Sequence, residues 1–509
     1  MLLRFRAVCL LAFAVLAGML VACSNSTTSP VPRVTPTPPI GSTPPPPPLK
    51  IQHVIFVVQE NRTFDNIYGG ANPYPGADTA TSGKTSSGGT LQLNPVAIEC
   101  TYILHPLQCE QQDPNNFHQP WLTACNAPTS PPFPVGQPAP CAMSGFDKNQ
   151  TGLDPGVIYS YAERSETKPY WAMAQAYALG DHFFMGHNSE SYTAHQYIFS
   201  AQSNNTVDAP AYPLPTPAPE FQVITPWGCD SPTGTTTFLL NPTTGQETQT
   251  PSGPAPCFSY HSLADLVNAK QGLSWREYAF SICQSINALD VNKSIRNSSQ
   301  WPGPPDVDCP NINPVNTTNF RMPETTFLDD VSGPNPTLAS VTWVLPGPIT
   351  SDHPGVPFGY CGPWWVANVV DAIGKSKFWN TTAIFVFWDD WGGFYDHVTP
   401  YVVRDVAGPG FRVPLLVISP YAKRNTVVKT NVEFGTLMQF TEQNFSLGTL
   451  GVDDASHYLN NLNDFFDFSS EKPFVPISIP NDLLCNDTAR TRAGTAKRSK
   501  WLRMIGDHD

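Results

Sequence analysis

The chain has 509 residues, 40% hydrophobic and 11% aromatic, enough apolar material for a large core, which excludes a wholly disordered protein. Only 14% are charged, and 28 Lys and Arg against 41 Asp and Glu leave a net charge of −13, which excludes non-specific binding of a polyanion such as nucleic acid. With 55 Pro and 35 Gly, many ordered loops are expected around that core.

Arg4 and Arg6 precede the apolar run AVCLLAFAVLAGMLVA, which reads as a secretory signal over residues 1–23 and is too short and poorly flanked for a transmembrane helix. Its end, Leu20-Val21-Ala22-Cys23, resembles the lipobox of bacterial lipoproteins, which implies lipidation at Cys23, export and a membrane anchor at the cell envelope. The alternative is an ordinary cleaved signal in which Cys23 is incidental. Residues 24–49 are rich in proline and form a semi-rigid spacer. The catalytic-sized region is 50–485, followed by a basic tail at 486–509.

Three apolar, β-branched runs at 51–58, 381–388 and 412–419 read as buried parallel strands. Helical periodicity marks 168–179, 362–376 and 434–445. Strands separated by long helical and loop segments predict an α/β fold, a mainly parallel central sheet with helices on both faces. Beyond Cys9 and Cys23, ten cysteines remain: Cys100, Cys109, Cys125, Cys141, Cys229, Cys257, Cys283, Cys309, Cys361 and Cys485. An even number in an exported chain predicts up to five disulfides, with the pairing open, tying down Cys-rich loop insertions.

Two strands end alike. The first runs into Gln59-Glu60-Asn61-Arg62, the second into Asp389-Asp390-Trp391-Gly392-Gly393. Ligands of open α/β sheets bind beyond the carboxyl ends of the strands. Glu60, Asn61, Asp389 and Asp390 gathered there would offer only oxygen donors. Three adjacent carboxylates repel unless protonated or neutralised, and one divalent metal ion is the simplest neutraliser. The duller reading has the acids capping helices or facing solvent. The Gly392-Gly393 pair is expected to make a tight turn beside the ion.

At these residues the chain resembles a known family. HVIFVVQENRTFDNIYGG, WDDWGGFYDHVTP and RVPLLVISPYAK are similar to motifs of the bacterial phosphoesterase family that contains non-haemolytic phospholipases C and the respiratory-burst-inhibiting acid phosphatase. HNSESYTAHQYIFSAQS is similar to that family's nucleophile segment and SDHP to its histidine motif. The resemblance implies an alkaline-phosphatase-like α/β fold and hydrolysis of phosphate esters through a metal-bound hydroxyl and a phosphoseryl intermediate. It places Ser191 as nucleophile and fifth oxygen donor, with Thr193 next, and His353, His118 and His195 as phosphate-binding or proton-transfer histidines. His397 is expected to bond a backbone carbonyl, Asp396 to brace the glycine turn, and His187 and His182 to be structural.

The chain departs from the family's pattern at Ser189-Glu190, where Gly-Pro is common, and at Lys429 or Asn431, where relatives carry a histidine. Acid phosphatase or broad phosphoesterase activity on an ester substrate is the leading expectation. The alternatives are a phospholipase C acting on lipid headgroups, with Trp364, Trp365 and Trp391 as an apolar rim or as core residues, and a non-catalytic envelope-surface module. No Cys/Ser-x-Pro-x-Arg motif supports a sulfatase.

Overall fold

The computed structural model describes residues 50–98, 113–149, 154–213, 227–248, 250–282, 286–302, 315–355 and 361–479. Cys23, the signal, the spacer, the basic tail and Cys100, Cys109, Cys283, Cys309 and Cys485 lie outside them.

Eight strands form the central sheet: β1 (His53–Gln59), β2 (Ala178–Gly180), β3 (Trp275–Tyr278), β4 (Phe320–Arg321), β5 (Val341–Val344), β6 (Thr382–Trp388), β7 (Leu415–Ile418) and β8 (Thr426–Val428). Their spatial order is β4-β3-β5-β1-β6-β7-β2-β8. All seven residues of β6 and the last six of β1 are buried, which is why both read as continuous apolar runs rather than alternating ones. Each large apolar side chain so buried contributes about 1.5–3 kcal/mol.

Side chains alternate across the pleat, so neighbouring residues of β6 report on opposite faces. Phe385 and Phe387 meet Phe440 and Phe434 of one helix (Phe434–Phe445), whereas Trp388 meets Tyr170 of another (Arg164–Ala176). Helices therefore cover both faces, as expected. Phe56 stacks on Phe385 and on Trp343, and Trp343 stacks on Phe199 of the helix Ser191–Ser200. In chain order these three helices are α1 (Arg164–Ala176), α2 (Ser191–Ser200) and α4 (Phe434–Phe445), with α3 (Gly362–Gly374) between the last two.

Two expectations need correction. The strand within 412–419 is antiparallel to both its neighbours, β6 and β2, and is the one reversed strand of the sheet. A buried apolar run carries no mark of direction, so sequence cannot reveal this. The end of the helix expected at 168–179 is instead β2, because the chain leaves α1 at Ala176 and pairs Ala178–Gly180 between β7 and β8.

Trp364, Trp365 and Trp391 are all buried and belong to the core, not to an exposed rim. Cys125–Cys141 and Cys229–Cys257 are disulfides within the two Cys-rich insertions, and Cys361 is disulfide-bonded as well.

Candidate active site

β1 and β6 pair in parallel from His53 opposite Thr382 to Gln59 opposite Trp388. The two strands thus end at one level, and the amide of Asp389 donates to the carbonyl of Gln59 at 2.9 Å. Glu60-Asn61 and Asp389-Asp390 emerge side by side. Asn61 adopts a left-handed conformation, φ 60°, which Asn tolerates better than most residues, and its amide donates to Asp389 Oδ1 at 2.9 Å. Gly392 has φ 59°, and a Cβ there would lie 2.0 Å from the carbonyl oxygen of Asn61. Glycine is required at this point so that the two loops can close on each other.

Ser191 is the first residue of α2, capped by Glu190, whose carboxylate accepts from the amide of Tyr192 at 2.9 Å. That places the Ser191 hydroxyl at the positive end of a ten-residue helix, where negative charge is favoured. Its Oγ lies 3.0 Å from Asp390 Oδ2, 3.3 Å from Asn61 Oδ1 and 3.4 Å from Glu60 Oε2. One turn on, His195 Nε2 stands 3.2 Å from Glu60 Oε1 and 3.6 Å from Asp389 Oδ2. Segments from three distant parts of the chain therefore meet at Ser191.

Glu60, Asp389 and Asp390 are all buried. Burial and the charge of Asp389 push Glu60 up, and the same two causes push Asp390 well above the carboxylate range. Asp389, despite burial, is held below its ordinary value by His195. Attraction to the carboxylates of Asp389 and Glu60 outweighs burial and lifts His195 to about 9. His195 thus faces two of the three acids, Glu60 and Asp389, and Asp389 Oδ2 has no hydrogen-bond partner.

These residues fit a divalent cation. Three carboxylates, an amide and a hydroxyl are hard oxygen donors of the kind Mg²⁺, Ca²⁺ or Mn²⁺ takes. Glu60, His195 and Asp389 each present a ligand atom within 4.8 Å of the others. The Asn61 amide points the same way. Turned with Oδ1 inward it faces only acceptors, an arrangement a cation converts from repulsion to ligation. Reversed, it donates to Asp389 and Glu60 and accepts from His353 and Asn116.

His353 Nε2 lies 3.1 Å from the Asn61 amide nitrogen. Its loop is clamped by Gln59, whose side chain donates to Thr350 O and accepts from the Asp352 amide, both at 2.9 Å, and by Arg62, which donates to Asp352 O. His118 stands further out: Nδ1 is 3.0 Å from Asn188 Oδ1, and Nε2 is buried without a partner. His187 lies tilted against the Tyr197 ring, accepts from the Ser189 amide through Nδ1 at 3.0 Å and is pushed down to about 3, chiefly by burial.

Asn116 was missed by sequence reasoning. Its Nδ2 donates to both oxygens of Asp390, at 2.9 and 2.8 Å. The only signal was its place two residues before His118 in NNFHQPW. His397 and Asp396 correct expectation in another way. His397 bonds carboxylates, Asp65 at 2.6 Å and Asp78 at 3.0 Å, not a carbonyl. Asp396 pairs with Arg412 at 2.9 Å and accepts from the amides of Asp65 and Val398, so it does not brace the glycine turn. His182 joins the same outer network through Asp181 at 2.8 Å, and Lys429 stands at its margin, 4.0 Å from Asp181.

Comparison with known proteins identifies the family. The Phosphoesterase family profile matches residues 51–448. A non-hemolytic phospholipase C of Burkholderia pseudomallei is 28% identical over 37% of this chain and 30% of its own length. Phospholipase C B of Mycobacterium tuberculosis is 23% identical over 78% of this chain and 74% of its own. A solved structure of a protein in the alkaline phosphatase superfamily from Vibrio parahaemolyticus aligns with 10% identity and a TM-score of 0.29, covering 66% of this chain and 82% of that one. The chain belongs to the Phosphoesterase family and is built as a hydrolase of phosphoester bonds.

Proposed function

We propose that the protein hydrolyses phosphate esters with Ser191 as nucleophile and one divalent cation held by Glu60, Asn61, Asp389 and Asp390. The carrying observation is the Ser191 hydroxyl, 3.0–3.4 Å from oxygens of three of those residues at the start of a helix. When bound, the cation supplies neutralisation of the acids and of developing phosphoryl charge, and lowers the pKa of the serine hydroxyl. Ser191 Oγ attacks phosphorus in line, the ester P–O bond breaks, and the leaving alkoxide takes a proton. His353, beside Asn61, holds phosphate or gives that proton, with His118 as the alternative donor. Water then splits the phosphoseryl ester and returns a proton to Ser191 Oγ, releasing phosphate from a monoester or the phosphorylated headgroup from a phospholipid. His195 holds Asp389 below its ordinary pKa and opposes the upward push on Glu60.

The named relatives favour a phospholipid headgroup ester over a small monoester. Phe117, 41% exposed between Asn116 and His118, supports that reading by presenting an apolar side chain next to the site. An exported protein anchored to the envelope through lipid on Cys23 would meet such a substrate. The test is hydrolysis of p-nitrophenyl phosphate and p-nitrophenylphosphorylcholine across pH, with and without chelator. Ser191→Ala is expected to lower kcat by about 10³-fold or more on the preferred ester. Turnover that survives both this substitution and chelation would remove the mechanism.

A further inference from the structure

A second unsatisfied acid lies deeper in the same layer. Glu277 on β3 is 1% exposed, and neither of its carboxylate oxygens has a hydrogen-bond partner. A buried polar group left unpaired costs about 1–3 kcal/mol, so such a group calls for an explanation.

Register places Glu277. It is the β3 partner of Trp343 on β5, and Trp343 is in turn the partner of Phe56 on β1, so all three point to the same face of the sheet. That face is covered by α2, since Phe199 stacks on Trp343 with ring centroids 4.7 Å apart. His195 precedes Phe199 by four residues and lies on the same side of the helix. His195 Nε2 faces Glu60 and Asp389, whereas its Nδ1 is buried without a partner, as is the Trp343 Nε1 group. The Glu277 carboxyl is pushed up to about 8 by burial, and His195 is the charged neighbour that pulls it back. Asp290 also senses Glu277, but it is like-charged, lies 3.6 Å from Arg296 and accepts from the amide of Asp230. Two orphaned donors and an orphaned acceptor thus share one layer.

We propose that Glu277 is a positioning residue for His195, accepting its Nδ1–H through a buried water and so aiming Nε2 at Glu60 and Asp389. The arrangement matches what such a histidine needs. A histidine that ligates a metal has its other N–H fixed by a carboxylate, carbonyl or water, and loss of that partner typically costs about 10–100-fold in affinity or activity; His195 stands one step further out, bracing two of the ligands, and that range is the upper bound for Glu277. A buried water makes about three hydrogen bonds, and Glu277, His195 and Trp343 together offer that number. Sequence reading passed over Glu277 because WREY is an unremarkable strand.

The role rests on the reading of the site given above, and its test is arranged to fail separately. The first readout is structural: a high-resolution crystal structure should show one ordered water within hydrogen-bond reach of Glu277 and His195 Nδ1, and ¹⁵N NMR should show that nitrogen protonated. The second is Mn²⁺ affinity together with kinetics. Glu277→Leu is expected to weaken Mn²⁺ binding and lower kcat by up to about 10–100-fold, with KM changed less than about twofold, whereas Glu277→Gln stays within about threefold. In a His195→Ala background Glu277→Leu should have no further effect, which a merely structural role would not produce. Unchanged Mn²⁺ affinity and kcat in a folded Glu277→Leu protein overturn the proposal, and so does a full effect in the double variant. Should Glu277→Leu not fold, absence of the water or an unprotonated Nδ1 in the parent protein decides against it. If the parent neither binds Mn²⁺ nor hydrolyses ester, the functional reading falls, while the water and the nitrogen still judge this one.

Discussion

The same two strand-end segments build two acidic clusters with opposite solutions to one electrostatic problem. The inner cluster takes Glu60, Asp389 and Asp390; the outer takes Asp65 and Asp396, a few residues later on each segment. In the outer one Arg412, fully buried, forks onto Asp396 at 2.9 and 3.1 Å and donates to the carbonyls of Asp78 and Asp181. His397 covers Asp65, and none of these side chains has an unpartnered buried atom. In the inner cluster one histidine faces Glu60 and Asp389, none faces Asp390, and Asp389 Oδ2 and His195 Nδ1 stay unpartnered. A cluster matched by a buried arginine closes on itself. One whose built-in positive group is a single histidine keeps oxygens free for a cation from outside, which is the property the proposed function uses.

The sharpest way to break this contrast is to remove the built-in cation. Arg412→Met leaves Asp396 and Asp65 buried without their partner and strips donors from two carbonyls. Breaking a buried pair this way costs about 3–5 kcal/mol, so urea denaturation should show a loss of that order, with no gain on adding divalent metal. A loss below about 1 kcal/mol would mean the outer network is no more than surface decoration.

The next effect is smaller and belongs to the inner cluster alone. A cation that binds only the folded state, present at 100 times its Kd, stabilises by about 2.7 kcal/mol, so chelation should lower the midpoint of thermal unfolding and Mg²⁺ or Mn²⁺ should restore it. Asp390→Asn should make the metal-free protein more stable than its parent, by relieving repulsion with Asp389, and blunt the response to metal. An unfolding midpoint indifferent to chelator in the metal-loaded parent would equate the two clusters and remove the distinction.

The parts of this contrast that sequence displayed are those carried by neighbours in the chain. Glu60-Asn61 and Asp389-Asp390 each follow a long apolar run, so strand, strand end and oxygen donors are visible together. Gly392 is visible too, as one of a glycine pair that signals a tight turn, although its close approach to Asn61 is not. Ser191, His353 and His195 came from a resemblance to motifs, and the geometry then showed that His195 serves Glu60 and Asp389. What stayed hidden is what folding brings from elsewhere. Asn116 reaches Asp390 from a loop, Gln59 clamps the His353 loop with an amide that looks like the end of a strand, and Arg412 opens a run that reads as one more buried strand. The strand within that run, β7, is antiparallel to its neighbours, which the composition of LLVI cannot encode. Glu277 is the extreme case, a carboxyl whose meaning depends wholly on register with Trp343.

The smallest effect tests the outer cluster by pH. Despite burial, hydrogen bonding and charge from Asp65 lift His397 to about 9, from an ordinary value of 6.5. Asp65, also despite burial, is held below its ordinary value of 3.8 by His397 and Arg412. The raised histidine contributes stability that is complete below pH 6.5 and is lost as pH climbs through 9. The depressed carboxylate contributes stability present above 3.8 and lost as pH falls through its lowered value. Both contributions coexist from mildly acidic pH up to 6.5, where the folding free energy should be greatest, and the alkaline fall should belong to His397. Its side chain is 27% exposed, which screens the pair, so the loss between pH 6.5 and 9 is about 1–2 kcal/mol rather than the full value of the shift. Urea titrations of the parent and of His397→Asn, both saturated with metal so that His195 stays engaged, should show that decline in the parent and a flatter profile in the variant. Equal slopes would mean that Arg412 alone neutralises the outer acids, leaving His397 a neutral spacer between Asp65 and Asp78.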